Sequence, residues 1–115
     1  MKATQVRAAT FVATLALAAF GWATPAKAAD ADAAQALLKK SDCMKCHAID
    51  KKKEGPPFKE TAKKYKGKAD AEDKLIKHVT TKPMIEIDGK KEEHKSIKST
   101  DAAEVKNLVQ WILSL

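Results

Sequence analysis

Cys43-Met44-Lys45-Cys46-His47 constrains this chain more than any other stretch of it. A C-x-x-C-H pentapeptide reads as a covalent haem attachment site. The spacing lets two thiols add to the two vinyl groups of one haem. The histidine that follows is then held against the iron as proximal ligand. Such a chain has to fold around a large flat cofactor, which carries the reactivity. Other readings of the motif need more than the sequence supplies. Cys43 and Cys46 are the only cysteines, whereas a zinc ribbon needs a second pair and a thioredoxin-like motif needs a βαβ setting. A mixed zinc site of Cys43, Cys46, His47 and either His78 or His94 stays open, although adjacent Cys46 and His47 are awkward ligands for one tetrahedral ion.

The start of the chain reads as an export signal. Lys2 and Arg7 make a positive beginning, Ala8 to Ala23 an apolar stretch, and Ala26-Lys27-Ala28 a small-residue cleavage site. The apolar stretch falls short of the about 20 residues a membrane span needs. Cleavage is expected after Ala28, dividing the chain into a signal peptide over 1–28 and one domain over 29–115, with no stable membrane insertion afterwards. A domain this small buries a modest core and benefits from a staple, which a covalent haem supplies. Export also fits a periplasmic location. The whole chain carries a net charge of +7, but every basic residue after Ala28 is a lysine. Without arginine forks to read bases, nucleic acid is not an expected partner.

Helical spacing runs over Asp32–Lys40, which leads straight into the cysteines, and over Phe58–Tyr65, with Pro57 suited to a first turn and Gly67 closing it. Asp70 is placed to cap a third helix, with Ala71, Leu75, Ile76 and Val79 inward, His78 exposed, and Pro83 beyond its end. Met84 to Glu92 alternates apolar and polar residues and carries Asp88-Gly89, a strong hairpin signal. Asp101 with Glu104 has the look of a capping box, opening a last helix lined by Val105, Leu108, Val109, Ile112 and Leu115. The fold class is therefore all-α, three to four short helices around one haem, with a short β-hairpin near 84–92.

From about Ala33 to Leu113 the chain resembles the small bacterial class I cytochromes c. The resemblance lies in Leu37-Leu38-Lys39 before the motif, in Gly55-Pro56-Pro57-Phe58-Lys59 with Ala62-Lys63-Lys64-Tyr65 after it, and in Val105 to Leu113 with Trp111. It implies one covalently bound haem c, attached through Cys43 and Cys46 with His47 on the iron. It also implies that the Pro56 carbonyl accepts a hydrogen bond from His47, which would fix that ring. Asp42 departs from the pattern, in which a small residue, often glycine, precedes the first cysteine. A local adjustment is expected there.

The sixth ligand departs further. The small relatives carry a methionine on a loop just before the closing helix, where this chain reads Glu92-Glu93-His94-Lys95-Ser96-Ile97. His94 stands close to the usual position, and Met84 lies too far ahead on a simple count. A two-residue turn at Asp88-Gly89 would nevertheless pair Met84 with Glu93 and bring both candidates to the open end of the ribbon. His94 is the expected axial partner of His47. Met84 is the alternative, otherwise packing against the haem or its ligand.

With two protein ligands the iron has no open site for substrate, so the expected role is a periplasmic one-electron carrier and not an enzyme. No nucleophile–base pair or phosphate loop suggests other chemistry. Lys45, Lys51, Lys52, Lys53, Lys59, Lys63 and Lys64 cluster around the haem-binding segment and suit redox partners with acidic docking faces. A monomer is expected. Gas-ligand binding or sensing, and service as the electron-transfer subunit of a larger oxidoreductase, are the rival readings.

Overall fold

Asp30 opens the first helix of the computed structural model, which describes Gly21 and residues 28–115. Apart from Gly21 and Ala28, the expected signal peptide lies outside the described residues. The Asp30 carboxylate accepts from the Ala33 N–H at 3.0 Å, satisfying one donor of the first turn of α1 (Ala31–Lys40). After a 3₁₀ turn over Cys43–Lys45 the order is α2 (Phe58–Tyr65), α3 (Ala71–Thr80), β1 (Met84–Ile87), β2 (Lys90–Glu93) and α4 (Ala102–Leu113).

The closing helix organises the rest, because α1, α2 and α3 each pack against α4. Val105, Leu108, Val109 and Ile112 recur at helical spacing, and all four are buried, Leu108 and Val109 completely. Leu37, Leu38 and Phe58 meet that face from α1 and α2, with Ile97 joining from the loop before α4. Asn107 locks the crossing at its edge. Its Nδ2 donates to the Asp30 carbonyl at 2.9 Å and its Oδ1 accepts from the Asp30 N–H at 2.8 Å. The two ends of the domain are thereby tied by one side chain.

Two caps differ from expectation. Asp70 sits at the N-cap of α3 but makes no side-chain cap bond, because its carboxylate turns to the Lys74 ammonium at 2.8 Å. Asp101 does cap α4, accepting from the Ala103 and Glu104 N–H groups, but Glu104 does not close the box directly. Ser99 stands between them. Its hydroxyl accepts from the Asp101 N–H and donates to the Glu104 carboxylate.

The hairpin has the expected register: Ile87 opposite Lys90, Ile85 opposite Glu92, Met84 opposite Glu93. Asp88 and Gly89 turn it with φ of 51° and 79°, the left-handed pair that suits the twist of two strands. Register decides which side chains share a face. Met84 and Glu93 project together. The next rung is closed by the His94 N–H donating to the Pro83 carbonyl at 2.8 Å, and it projects the other way. Met84 is accordingly 61% exposed, while His94 is half-buried on the opposite side.

Candidate functional site

Cys43 lies in the 3₁₀ turn, Cys46 caps it, and His47 follows, its N–H donating to the Cys43 carbonyl at 3.0 Å. The turn begins at Asp42, whose φ of 59° is left-handed. That explains why glycine suits this position, and why aspartate, which tolerates the region better than most residues, can replace it. Its carboxylate meets Lys98 at 3.1 Å and Lys45 at 3.4 Å. Those two hydrogen-bonded ammonium groups hold its pKa below the ordinary value. The ionised form therefore favours the fold above the usual carboxylate pKa, and this contribution fades as pH falls through the depressed value. Asp42→Val should lower stability by about 1–2 kcal/mol through the left-handed backbone alone. Asp42→Gly should remain near wild type in a urea melt, and equal losses in the two variants would refute that account.

His47 is held from three sides. Its Nδ1 donates to the Pro56 carbonyl at 2.8 Å, which sets the proton on that nitrogen and leaves the Nε2 lone pair for a metal. The Phe58 ring stacks on it with centroids 5.1 Å apart. Gly55 passes so close that a Cβ there would collide with the imidazole Cε1. The loop doing this is fastened to the motif by the Gly55 N–H on the Cys46 carbonyl and the Phe58 N–H on the Ala48 carbonyl.

His94 faces His47, with ring centroids 6.1 Å apart and planes at 56°. Two imidazoles sharing one metal ion, with metal–nitrogen bonds of about 2.0 Å on either side, have ring centres about 6 Å apart. The 6.1 Å between the His47 and His94 rings is of that size. The buried Nδ1 of His94 has no hydrogen-bond partner among the described residues. Burial, then the nearby imidazoles of His78 and His47, keep His94 below its ordinary pKa, and burial does the same for His78. Both favour the neutral form that a metal ligand needs. The segment carrying His94 is pinned beyond it as well. The Ile97 N–H donates to the Val79 carbonyl, and the Lys98 N–H to the buried Ser41 hydroxyl at 2.9 Å.

The thiols are partly covered and unbonded to each other. Burial pushes the Cys43 pKa up, and the hydrogen bond from Cys46 to the Glu54 carboxylate at 3.3 Å pushes the Cys46 pKa up. Redox-active C-x-x-C pairs depend on the opposite shift. Among the described residues no three His, Cys, Asp or Glu side chains converge to hold a metal ion, so the mixed zinc alternative gains no support. The structure does bring His47, His94 and Pro56 together, and the separation of the two rings suits a metal ion held between them. Met84 is exposed on the face of the hairpin opposite to His94. Sequence reasoning missed that His78 sits beside His94, since it is exposed on α3 and nothing in its own periodicity points inward. It also missed the Asp42–Lys98 and Asn107–Asp30 ties, which join residues far apart in the chain.

Comparison with known proteins places these features in a family. The model of the cytochrome c family matches residues 31–115. Cytochrome c-552 of Hydrogenobacter thermophilus is 36% identical over 87 residues, covering 69% of this chain and 78% of that protein. Cytochrome c-551 of Allochromatium vinosum is 35% identical over 82 residues, with 69% and 82% covered. The solved class 1 cytochrome MtoD of Sideroxydans lithotrophicus ES-1 superposes with a TM-score of 0.73 at 52% identity, covering 76% of this chain and 97% of that structure.

Proposed function

This chain belongs to the cytochrome c family, and we propose that it is a periplasmic one-electron carrier whose iron is held by His47 and His94. As in that family, its cofactor is one covalently bound haem c. The observation that carries the ligand reading is the 6.1 Å facing pair of His47 and His94 beside the Cys43–Cys46 turn.

The haem, when bound, supplies one-electron cycling between ferric and ferrous iron. The chain's own residues decide the rest. Cys43 and Cys46 would hold the cofactor covalently. Pro56 holds the His47 ring in one orientation and raises its donor strength. His94 would supply a second protein ligand to the iron from a segment anchored to α3 and to Ser41, and two protein ligands favour a carrier over a gas sensor. Export through residues 1–28 agrees with a periplasmic location, and no helix among the described residues is long and apolar enough to cross a membrane. A free carrier and a dedicated subunit of an oxidoreductase differ in one outcome, co-purification with a larger partner.

Haem attachment, intact mass, the Cys46→Ala yield and the ferric spectrum test this. Acid–acetone treatment of denatured protein should leave the haem on the polypeptide, and the intact mass should equal residues 29–115 plus one haem. Cys46→Ala should leave one thioether at most and sharply reduce the yield of loaded protein; a normal yield would count against double attachment. The absorption spectrum of ferric protein should lack a red-edge methionine-to-iron band, whose presence would replace His94 with Met84.

Docking follows from the exposed lysines at 51, 52 and 53 and on α2 at 59, 63 and 64. The proposed partner presents an acidic face to this side. Its rate of electron exchange should fall steeply with salt, because the screening length is only about 8 Å at 0.15 M. Charge reversal at Lys51 and Lys52 should slow association more than transfer. A flat salt profile would return these lysines to ordinary surface.

A further inference from the structure

The side of His47 on which His94 lies holds two imidazoles, and the proposed function uses one of them. His78 projects from α3 and remains exposed, yet its ring centroid lies 4.4 Å from that of His94, with the planes at 54°. The frame keeps them together. The His94 N–H donates to the Pro83 carbonyl at 2.8 Å and the Ile97 N–H to the Val79 carbonyl at 2.9 Å. The segment bearing His94 is therefore stitched along the end of the helix that bears His78.

The two axial candidates are also held very differently. His47 is oriented by its Nδ1 bond to Pro56 at 2.8 Å. His94 has a buried Nδ1 with no partner among the described residues. An imidazole whose second nitrogen is bonded is fixed in tautomer and orientation, and one without that bond is not. His78 does not make up for it. Rings joined by an in-plane N–H···N bond of about 2.9 Å have centroids roughly 5 Å apart, so at 4.4 Å and 54° His78 packs on His94 without fastening it.

We infer that His78 is a second, exchangeable sixth ligand, which turns into the place of the His94 ring when His94 leaves the iron. The inference rests on the His47/His94 reading. The ring has 4.4 Å to travel, and a change of staggered rotamer about χ1 moves an imidazole by about that much without moving the backbone. One iron–nitrogen bond breaks at His94 and one forms at His78. Both ligands are neutral, so neither charge nor oxidation state changes. The consequence is an iron that stays six-coordinate and closed to small gases even when its hairpin-end ligand is lost.

The test uses haem-loaded His94→Ala, His78→Ala and the double variant, read by ferric absorption and by carbon monoxide addition to the reduced form. His94→Ala is expected to stay low-spin and to show no carbon monoxide spectrum. His78→Ala should match wild type. The double variant should turn high-spin and bind carbon monoxide. A high-spin, carbon monoxide-binding His94→Ala protein would overturn the inference. So would a double variant that stays low-spin, since Lys95 or Met84 would then be the substitute. Should His94→Ala fail to load haem, His94→Gln, which keeps the bulk but offers no imidazole, is read in the same way. A methionine-to-iron band in wild type is a separate outcome that removes the ligand reading beneath the inference.

Discussion

Gly55→Ala should cost this protein most of its haem-loaded form. The added Cβ would collide with the His47 Cε1 and lie 2.8 Å from Nδ1 and 2.9 Å from Nε2, far inside van der Waals contact, which starts at about 3.5 Å. The ring has little freedom to retreat, because Phe58 stacks on it and the Pro56 carbonyl holds Nδ1. The loop cannot retreat easily either, since the Gly55 N–H is bonded to the Cys46 carbonyl at 2.8 Å. Overpacking of this kind costs about 1–3 kcal/mol, and breaking the Pro56 bond adds roughly 1 kcal/mol. Those are large fractions of the about 5–15 kcal/mol that hold a typical domain together. Gly67 and Gly89 make useful controls. Both have open space around the missing Cβ and left-handed φ of 76° and 79°, so alanine there strains the backbone without touching His47. Their variants should load haem and melt somewhat earlier. Gly55→Ala protein recovered in normal yield with an unchanged spectrum would show that the ring has another resting place.

The contrast between Gly55 and the other glycines shows where the sequence could be read and where it could not. Periodicity located the four helices of the described residues, because Leu37, Leu75, Leu108 and their neighbours repeat with the helix and are buried. Asp88-Gly89 gave the hairpin and its register for the same local reason, a turn that requires two left-handed residues. The motif and the Gly-Pro-Pro segment pointed to one another through family resemblance, and the 2.8 Å bond from His47 to Pro56 has the form that resemblance implied. What stayed hidden was set by tertiary contact. Ladder parity, and not distance along the chain, separates Met84 from His94, for it turns one to solvent and the other inward. Asp42 reads as a flaw in the motif until its left-handed φ and its two lysine partners are seen. His78 has an exposed helical position in every local pattern, and only the folding of the 94–97 segment onto α3 sets it against His94.

Replacing His94 by methionine should raise the reduction potential, and by more than any surface substitution can. Neutral imidazole favours ferric iron relative to a thioether ligand, so methionine ligation moves the potential upward. Axial ligands account for much of a haem range of roughly 0.8 V, and every shift of about 59 mV is tenfold in a one-electron equilibrium. A His47/His94 carrier therefore belongs at the lower end, able to pass electrons to His/Met relatives and poorly placed to accept them. The substitution is best made in the His78→Ala background, where no second imidazole competes for the iron. Spectroelectrochemistry should show the potential rising as a red-edge methionine band appears. Met84→Ala is the decisive companion. With its side chain 61% exposed and on the opposite face of the ribbon from His94, its loss should move the potential little and leave the low-spin spectrum as it was. If Met84→Ala instead opens the iron to carbon monoxide, the hairpin must flip its register in the loaded protein. Ile85 and Ile87 would then exchange faces with Met84 and Glu86, since a strand cannot turn one side chain over without turning them all.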